Sequence, residues 1–180
     1  PIADERAVAL LDEDSPFHVG GALMIALAMT KAEPRIRENF RTGAGMSWGE
    51  HDAYMFEGCE RLFRPSYLAN LTQNWIPALD GVEQKLQRGA KVADIGCGHG
   101  SSTLVMAAAY PKSTFVGFDY DAASIEVARA RAADPGVRDP VRMQGATAAD
   151  SPGSGPSHGP GFAPLPGRGD PPAAAEHLTP

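Results

Sequence analysis

Over the first eighty residues the apolar positions fall mostly at helical spacing. In residues 3–11, ADERAVALL, Ala7, Val8, Leu10 and Leu11 share one helical face. Gly20 and Gly21 precede ALMIALAM, which is apolar nearly all round and so predicts a buried helix. Pro34 predicts the opening of a third, short amphipathic piece running through Phe40. The stretch RTGAGMSWGEHD at 41–52 carries three glycines and reads as a loop. From Tyr54 to Leu79, Phe56, Phe63, Tyr67, Leu71, Trp75 and Leu79 recur at helical spacing, with Pro65 and Pro77 interrupting or restarting the turn. These aromatics are expected to pack a core.

At Gly81 the pattern changes. GVEQKLQRGA suggests a short helix ending at Gly89, where a left-handed cap favours glycine. KVADIG then reads as strand, GHGSSTLVMAAAYP as helix and STFVGFD as strand. AASIEVARARAA reads as helix and PVRMQGA as a third strand. Strand, helix, strand, helix, strand is the first half of a doubly wound α/β fold, with a ligand crevice at the carboxyl ends of the strands. The expected organisation is a helical segment at 1–80, a partial Rossmann-like domain at 81–150 and an irregular tail at 151–180.

Composition supports the last boundary. The tail holds eight of the sixteen prolines and six of the twenty glycines, so only about 150 residues remain to build a core. The net charge of −6 comes without a basic stripe interleaved with aromatics, which argues against nucleic acid as a partner. The longest apolar run, Val19 to Met29, is too short for a membrane span of about 20 residues. Cys59 and Cys97 cannot make a zinc site by themselves and resemble no disulfide framework. No metal is expected, and a reducing cytoplasm is the default compartment.

The chemistry concentrates in Val92-Ala93-Asp94-Ile95-Gly96-Cys97-Gly98-His99-Gly100 and in Asp119 at the end of the next strand. Glycines at 96, 98 and 100 permit a tight strand-to-helix turn and close approach of backbone to a ligand. Asp119 lies nineteen residues beyond Gly100, the usual distance for a carboxylate that accepts from a ribose diol. A dinucleotide fingerprint would place its third glycine at Ser101, one position later than it occurs. Asp94, just before the turn, is a poor neighbour for pyrophosphate but suits a cofactor carrying a cationic amino group. Cys97 reads as a small residue packed in the turn, and His99 as a solvated loop residue.

VADIGCGHG followed by FVGFDYDAASIEVARARA resembles the first two motifs of class I S-adenosylmethionine-dependent methyltransferases. Upstream, RTGAGMSWGEHDAYMFEGCERLFRPSYLANLTQNWIPALDGVEQKL is similar to the helical cap of an actinobacterial group of these enzymes. The resemblance implies an S-adenosylmethionine site. Asp94 would face the methionine amino group, and Gly96, Cys97, Gly98 and Gly100 would shape the turn around the methionine. Asp119 would hold the ribose with Tyr120 beside the adenine, and Ala146 and Thr147 would fall at the adenine edge. Many relatives are acidic at that last place, and this chain is not. A cap over the cofactor mouth would let Trp48 and His51 line a pocket for a small-molecule acceptor, with His51 a candidate base for a hydroxyl.

The resemblance breaks after Asp150. Gly169-Asp170-Pro171 and the helix-like Ala173-Ala174-Ala175-Glu176 match family flanks, but the four prolines of PSHGPGFAPLPGR forbid the fourth strand between them. Two compensating frame changes in the coding DNA would explain such an insert. The strand at Val92–Ile95 is then expected to be an exposed edge. The expectation is a methyltransferase fragment with about three parallel strands and doubtful activity. The alternatives are a non-catalytic remnant or an interaction module, with a nicotinamide oxidoreductase more distant. The apolar helix at 20–29 would favour a partner, a homodimer among the arrangements, if the missing segments leave it uncovered.

Overall fold

The computed structural model describes residues 3–13, 15–134 and 141–146. The tail, and with it the expected absence of a fourth strand, lies outside the described residues.

The amino-terminal part is helical. α1 (Asp4–Leu11) leads into α2 (Gly20–Thr42), and a 3-10 turn at Trp48–Glu50 precedes α3 (Ala53–Asn70). A π-helical turn at Leu71–Trp75 extends α3. Two expectations are corrected. Pro34 opens no new helix, because α2 runs through it and stops only where Gly43 adopts φ 76°. Its ring lies on an exposed face, where the lost backbone hydrogen bond can be replaced by water. Pro65 likewise sits inside α3, buried, without ending it.

The apolar stretch of α2 is not buried all round. Gly21, Ala28 and Ala32 form the buried side, while Leu23 and Leu27 are more than half exposed. The reason is geometric. Gly21 and Gly58 bring α2 and α3 to backbone contact, since a β-carbon on Gly58 would lie 2.8 Å from the Gly21 carbonyl oxygen. Small residues therefore make the contact and the leucines are turned outward.

The half-sheet follows the expected order. α4 (Val82–Arg88), β1 (Lys91–Ile95), α5 (Ser101–Ala109), β2 (Thr114–Asp119), α6 (Ala122–Ala132) and β3 (Val141–Gly145) form three parallel strands in the order β1-β2-β3. Lys91 pairs with Thr114, and Phe115 with Val141. Ile76, Leu86, Ala107, Tyr110 and Phe115 pack one core, and Cys97, Ile125, Ala128 and Met143 a second. Ser113 ties α4 to β2: its Oγ donates to the Leu86 carbonyl at 2.7 Å and accepts from the Ala90 N–H at 2.9 Å. Among the described residues β1 has β2 as its one neighbour, and Lys91, Ala93 and Ile95 along it are exposed.

Candidate active site

The strands of a parallel sheet all end on one side, so β1 and β2 deliver their last residues to the same place. There Gly96, Gly98 and Gly100 have φ of 79°, 53° and 82°, a region that residues with a β-carbon rarely adopt. The turn they form is pinned to β2, because the N–H groups of Gly96 and Cys97 both donate to the Phe118 carbonyl, at 2.7 and 3.0 Å. The glycines then divide. A β-carbon on Gly96 or Gly98 would meet nothing within 4 Å, whereas one on Gly100 would lie 2.8 Å from Met143 Cε and 3.2 Å from Ala128 Cβ. Gly96 and Gly98 therefore border open space, and Gly100 lets the turn press onto the core beneath α6.

Asp119 closes the turn from the other strand. Its Oδ2 accepts from the Gly98 N–H at 2.8 Å and its Oδ1 from the Asp121 N–H at 2.9 Å. Each oxygen keeps acceptor capacity toward the open side. Asp94 points elsewhere. Its Oδ2 accepts from the hydroxyls of Ser102 at 2.7 Å and Thr103 at 2.6 Å, at the first turn of α5. Asp94 does not itself line the open space, but Ser102 does, so the carboxylate reaches it through that hydroxyl.

The open space is a groove of about 450 Å³, within the size range of small-molecule sites. One wall is the turn and the strand ends, including Gly96, Gly98, Ser102, Asp119, Tyr120 and Ala146. The other is the cap: Trp48, Phe56, Cys59, Glu60, Phe63 and Tyr67. Phe56, Phe63 and Tyr67, expected to pack a core, instead face this groove, and Phe63 is half exposed. Trp48 packs edge-on against Phe56 at 5.4 Å between ring centres. Trp48 and Tyr120, from the 3-10 turn and the end of β2, both line the groove. His51 lies 5.6 Å from Trp48, ring to ring, outside the groove lining, with a buried Nδ1 that has no partner among the described residues. Ala146 uses its N–H on the Asp119 carbonyl at 3.0 Å, and Thr147 lies outside the described residues.

The titrating groups of the turn have different characters. Burial, then the carboxylates of Asp94 and Asp119, push the Cys97 thiol up to about 12, so it is protonated and packed rather than nucleophilic. His99 differs from its expectation as a solvated residue: it is half-buried in the groove lining. Burial, then the neighbouring Arg131 guanidinium, hold its imidazole below the ordinary histidine value against the opposite pull of Glu60, Asp121 and Glu57.

Sequence reasoning overlooked Glu60. Its side chain is 9% exposed and binds both Ser101 Oγ and the Arg131 guanidinium, joining α3 to α5 and α6. No local signal marks it, because its partners lie 41 and 71 residues away. Ser102 and Thr103 were more findable, as two hydroxyls directly following a glycine turn that begins with a carboxylate.

Residues 86–153 match the profile of a family described as a methyltransferase domain. This segment is thus similar to methyltransferase domains. The chain also resembles the solved structure described as StiE O-MT residues 942-1257, with 23% identity and a TM-score of 0.38 over 53% of this chain and 31% of that one. The present chain thus spans under a third of that chain's length. No curated protein matches the sequence.

Proposed function

We propose that the groove binds S-adenosylmethionine and that the chain is part of an enzyme transferring its methyl group to a small-molecule acceptor. The observation that carries this reading is the pairing of Asp119 with Gly98: a carboxylate with spare acceptor capacity stands beside two glycines that border open space. A ribose diol fits the carboxylate, and the methionine part fits the cleared backbone at Gly96 and Gly98, with Ser102 relaying the charge of Asp94. Cys97 supports the turn from beneath, packed against Gly117 and Met143, where a β-carbon on Gly117 would lie 2.8 Å from its sulfur. Bound there, the cofactor supplies a methyl group already activated by its sulfonium, so the protein's part is alignment.

Calorimetry with S-adenosylhomocysteine tests the reading. Binding is expected with a dissociation constant above about 1 μM, which corresponds to less than about 8 kcal/mol, because among the described residues no strand flanks the outer edge of β1. Asp119→Ala should weaken it at least about tenfold, the equivalent of 1.4 kcal/mol. No binding, or equal binding by the variant, would overturn the assignment. The exposed residues of β1 favour a second reading, a remnant that retains the half-site without turnover. Binding of the probe with no methyl transfer from S-adenosylmethionine to any of a panel of phenols, amines and thiols is the outcome that reading requires.

A further inference from the structure

The geometry points to His99 as the proton acceptor for a hydroxyl carried on a flat aromatic ring held between the cap aromatics and the glycine turn. The inference rests on the methyltransferase reading and adds the class of acceptor and the group that activates it.

The cap wall favours a ring. Trp48, Phe56, Phe63 and Tyr67 present apolar faces and edges to the groove, and aromatic pairs gain beyond simple area burial. The titratable side chains on that wall besides Tyr67 are already committed or inert. Glu60 is bound to Arg131 and Ser101, and burial pushes the Cys59 thiol up, toward its neutral form. An acceptor that carried its own charge would find no free counter-charge on the cap wall, whereas an uncharged ring with one hydroxyl would lose little on entering.

The opposite wall supplies the base. His99 lies between the two glycines nearest α5, in the groove lining, and among the described residues no hydrogen bond engages its ring. Its backbone is held in place, since the Arg131 guanidinium donates to the His99 carbonyl at 3.4 Å. The charged groups around the ring come from both packed elements: Arg131 and Asp121 from α6 and its cap, Glu57 and Glu60 from α3. Their balance, with burial, keeps the ring neutral near pH 7, the form a base needs. His51, the alternative in the sequence, is not among the residues that line the groove.

The step balances. The acceptor O–H gives its proton to an imidazole nitrogen as its oxygen attacks the methyl carbon. The C–O bond forms while the C–S bond breaks, and that electron pair passes to sulfur. The products are a methyl ether, a neutral thioether and an imidazolium.

The test uses the full chain labelled with ¹³C and ¹⁵N histidine, saturated with S-adenosylhomocysteine and titrated with para-nitrophenol. The ring signals of His99, assigned by comparison with His99→Gln, should move toward the protonated position as the phenolate absorbance appears. His99→Gln should lose most of that phenolate signal. Glu60→Gln removes a group that raises the histidine pKa, so it should move the His99 midpoint to lower pH. Static His99 signals, or an undiminished phenolate signal in His99→Gln, would overturn the inference while leaving the cofactor site intact. Absent S-adenosylhomocysteine binding, read separately by calorimetry, is instead the failure of the underlying reading.

Discussion

In the cap, α2 and α3 meet through two glycines, and a β-carbon on Gly21 would lie 2.6 Å from the backbone nitrogen of Leu62. In the half-sheet, by contrast, Phe115 is fully buried and Ile125 nearly so, each inside a cluster of apolar neighbours. The two regions are thus assembled by different means. The sheet excludes water with large side chains. The cap gains close backbone approach and cross-links such as Lys31–Asp52 at 2.7 Å, while Leu23 and Leu27 stay outside and Phe56, Phe63 and Tyr67 turn toward the groove. A site placed between them has a wall fixed by packing and a wall attached by contacts that depend on small residues and charge. That combination suits a cap that must admit a ligand, because segments with few buried apolar contacts open at low free-energy cost.

The strongest way to break the comparison is to remove the largest buried side chain from the sheet. Phe115→Ala should cost about 3–5 kcal/mol, measured by urea unfolding, because the ring is wholly enclosed and links β2 to the α4 and α5 side. Leu27→Ala on α2, where the side chain is more than half exposed, should change stability by less than about 0.5 kcal/mol. If the leucine change costs as much as the phenylalanine change, the outward face of α2 is covered in solution and the two regions are not built differently.

The second test addresses the cap contact itself. Gly58→Val places side-chain atoms where the Gly21 carbonyl and the Ile25 backbone already lie, and overpacking of this kind costs about 1–3 kcal/mol. The loss should be local. Hydrogen exchange should quicken along α2 and α3 while the amides of β2 keep their protection. A uniform loss of protection through β2 would mean that cap and half-sheet unfold as one unit.

The same contrast explains what the sequence made legible. The half-sheet could be read because each of its signals is local: apolar strands, three glycines in a turn, and an aspartate at the end of the following strand. The cap could be read as helical but not as packed. ALMIALAM suggests burial by hydrophobicity, yet the contact is decided by Gly21, Ala28 and Ala32, whose size matters more than their polarity. Pro34 suggests a boundary because proline removes a donor, but an exposed helix interior can bear that loss. The aromatics at 56, 63 and 67 have one helical spacing whether they face a core or a groove, and the glycine turn opposite them decides which. Glu60 was invisible because its meaning lies in Arg131 and Ser101, brought to it only by the fold.

The smallest expected effect lies at the 3-10 turn that carries Trp48. Glu50 closes a capping box with Ser47, accepting from its N–H at 2.7 Å and its hydroxyl at 2.8 Å, and also binds Arg35 of α2. The hydrogen bonds from the Ser47 backbone and side chain, and then Arg35, lower the Glu50 carboxyl from its usual value near 4.5 to about 2. A carboxylate with a depressed folded-state pKa stabilises the folded form above its unfolded value, and that contribution fades as pH falls from about 4.5 through about 2. Asp52, lowered by Lys31 and then by the Tyr54 N–H, acts in the same direction over the acid side of the carboxylate range. Both groups are solvent-accessible and screened by salt, so global stability should scarcely register the change. Trp48 should report it, because it opens the 3-10 turn that Glu50 caps and its ring packs on Phe56. Acidification at low salt should shift its fluorescence before the half-sheet unfolds, and Glu50→Gln should shift it already at neutral pH. A fluorescence transition in Glu50→Gln that coincides with wild type would show that Trp48 is held by the sheet alone, and would place the 3-10 turn with the rigid wall.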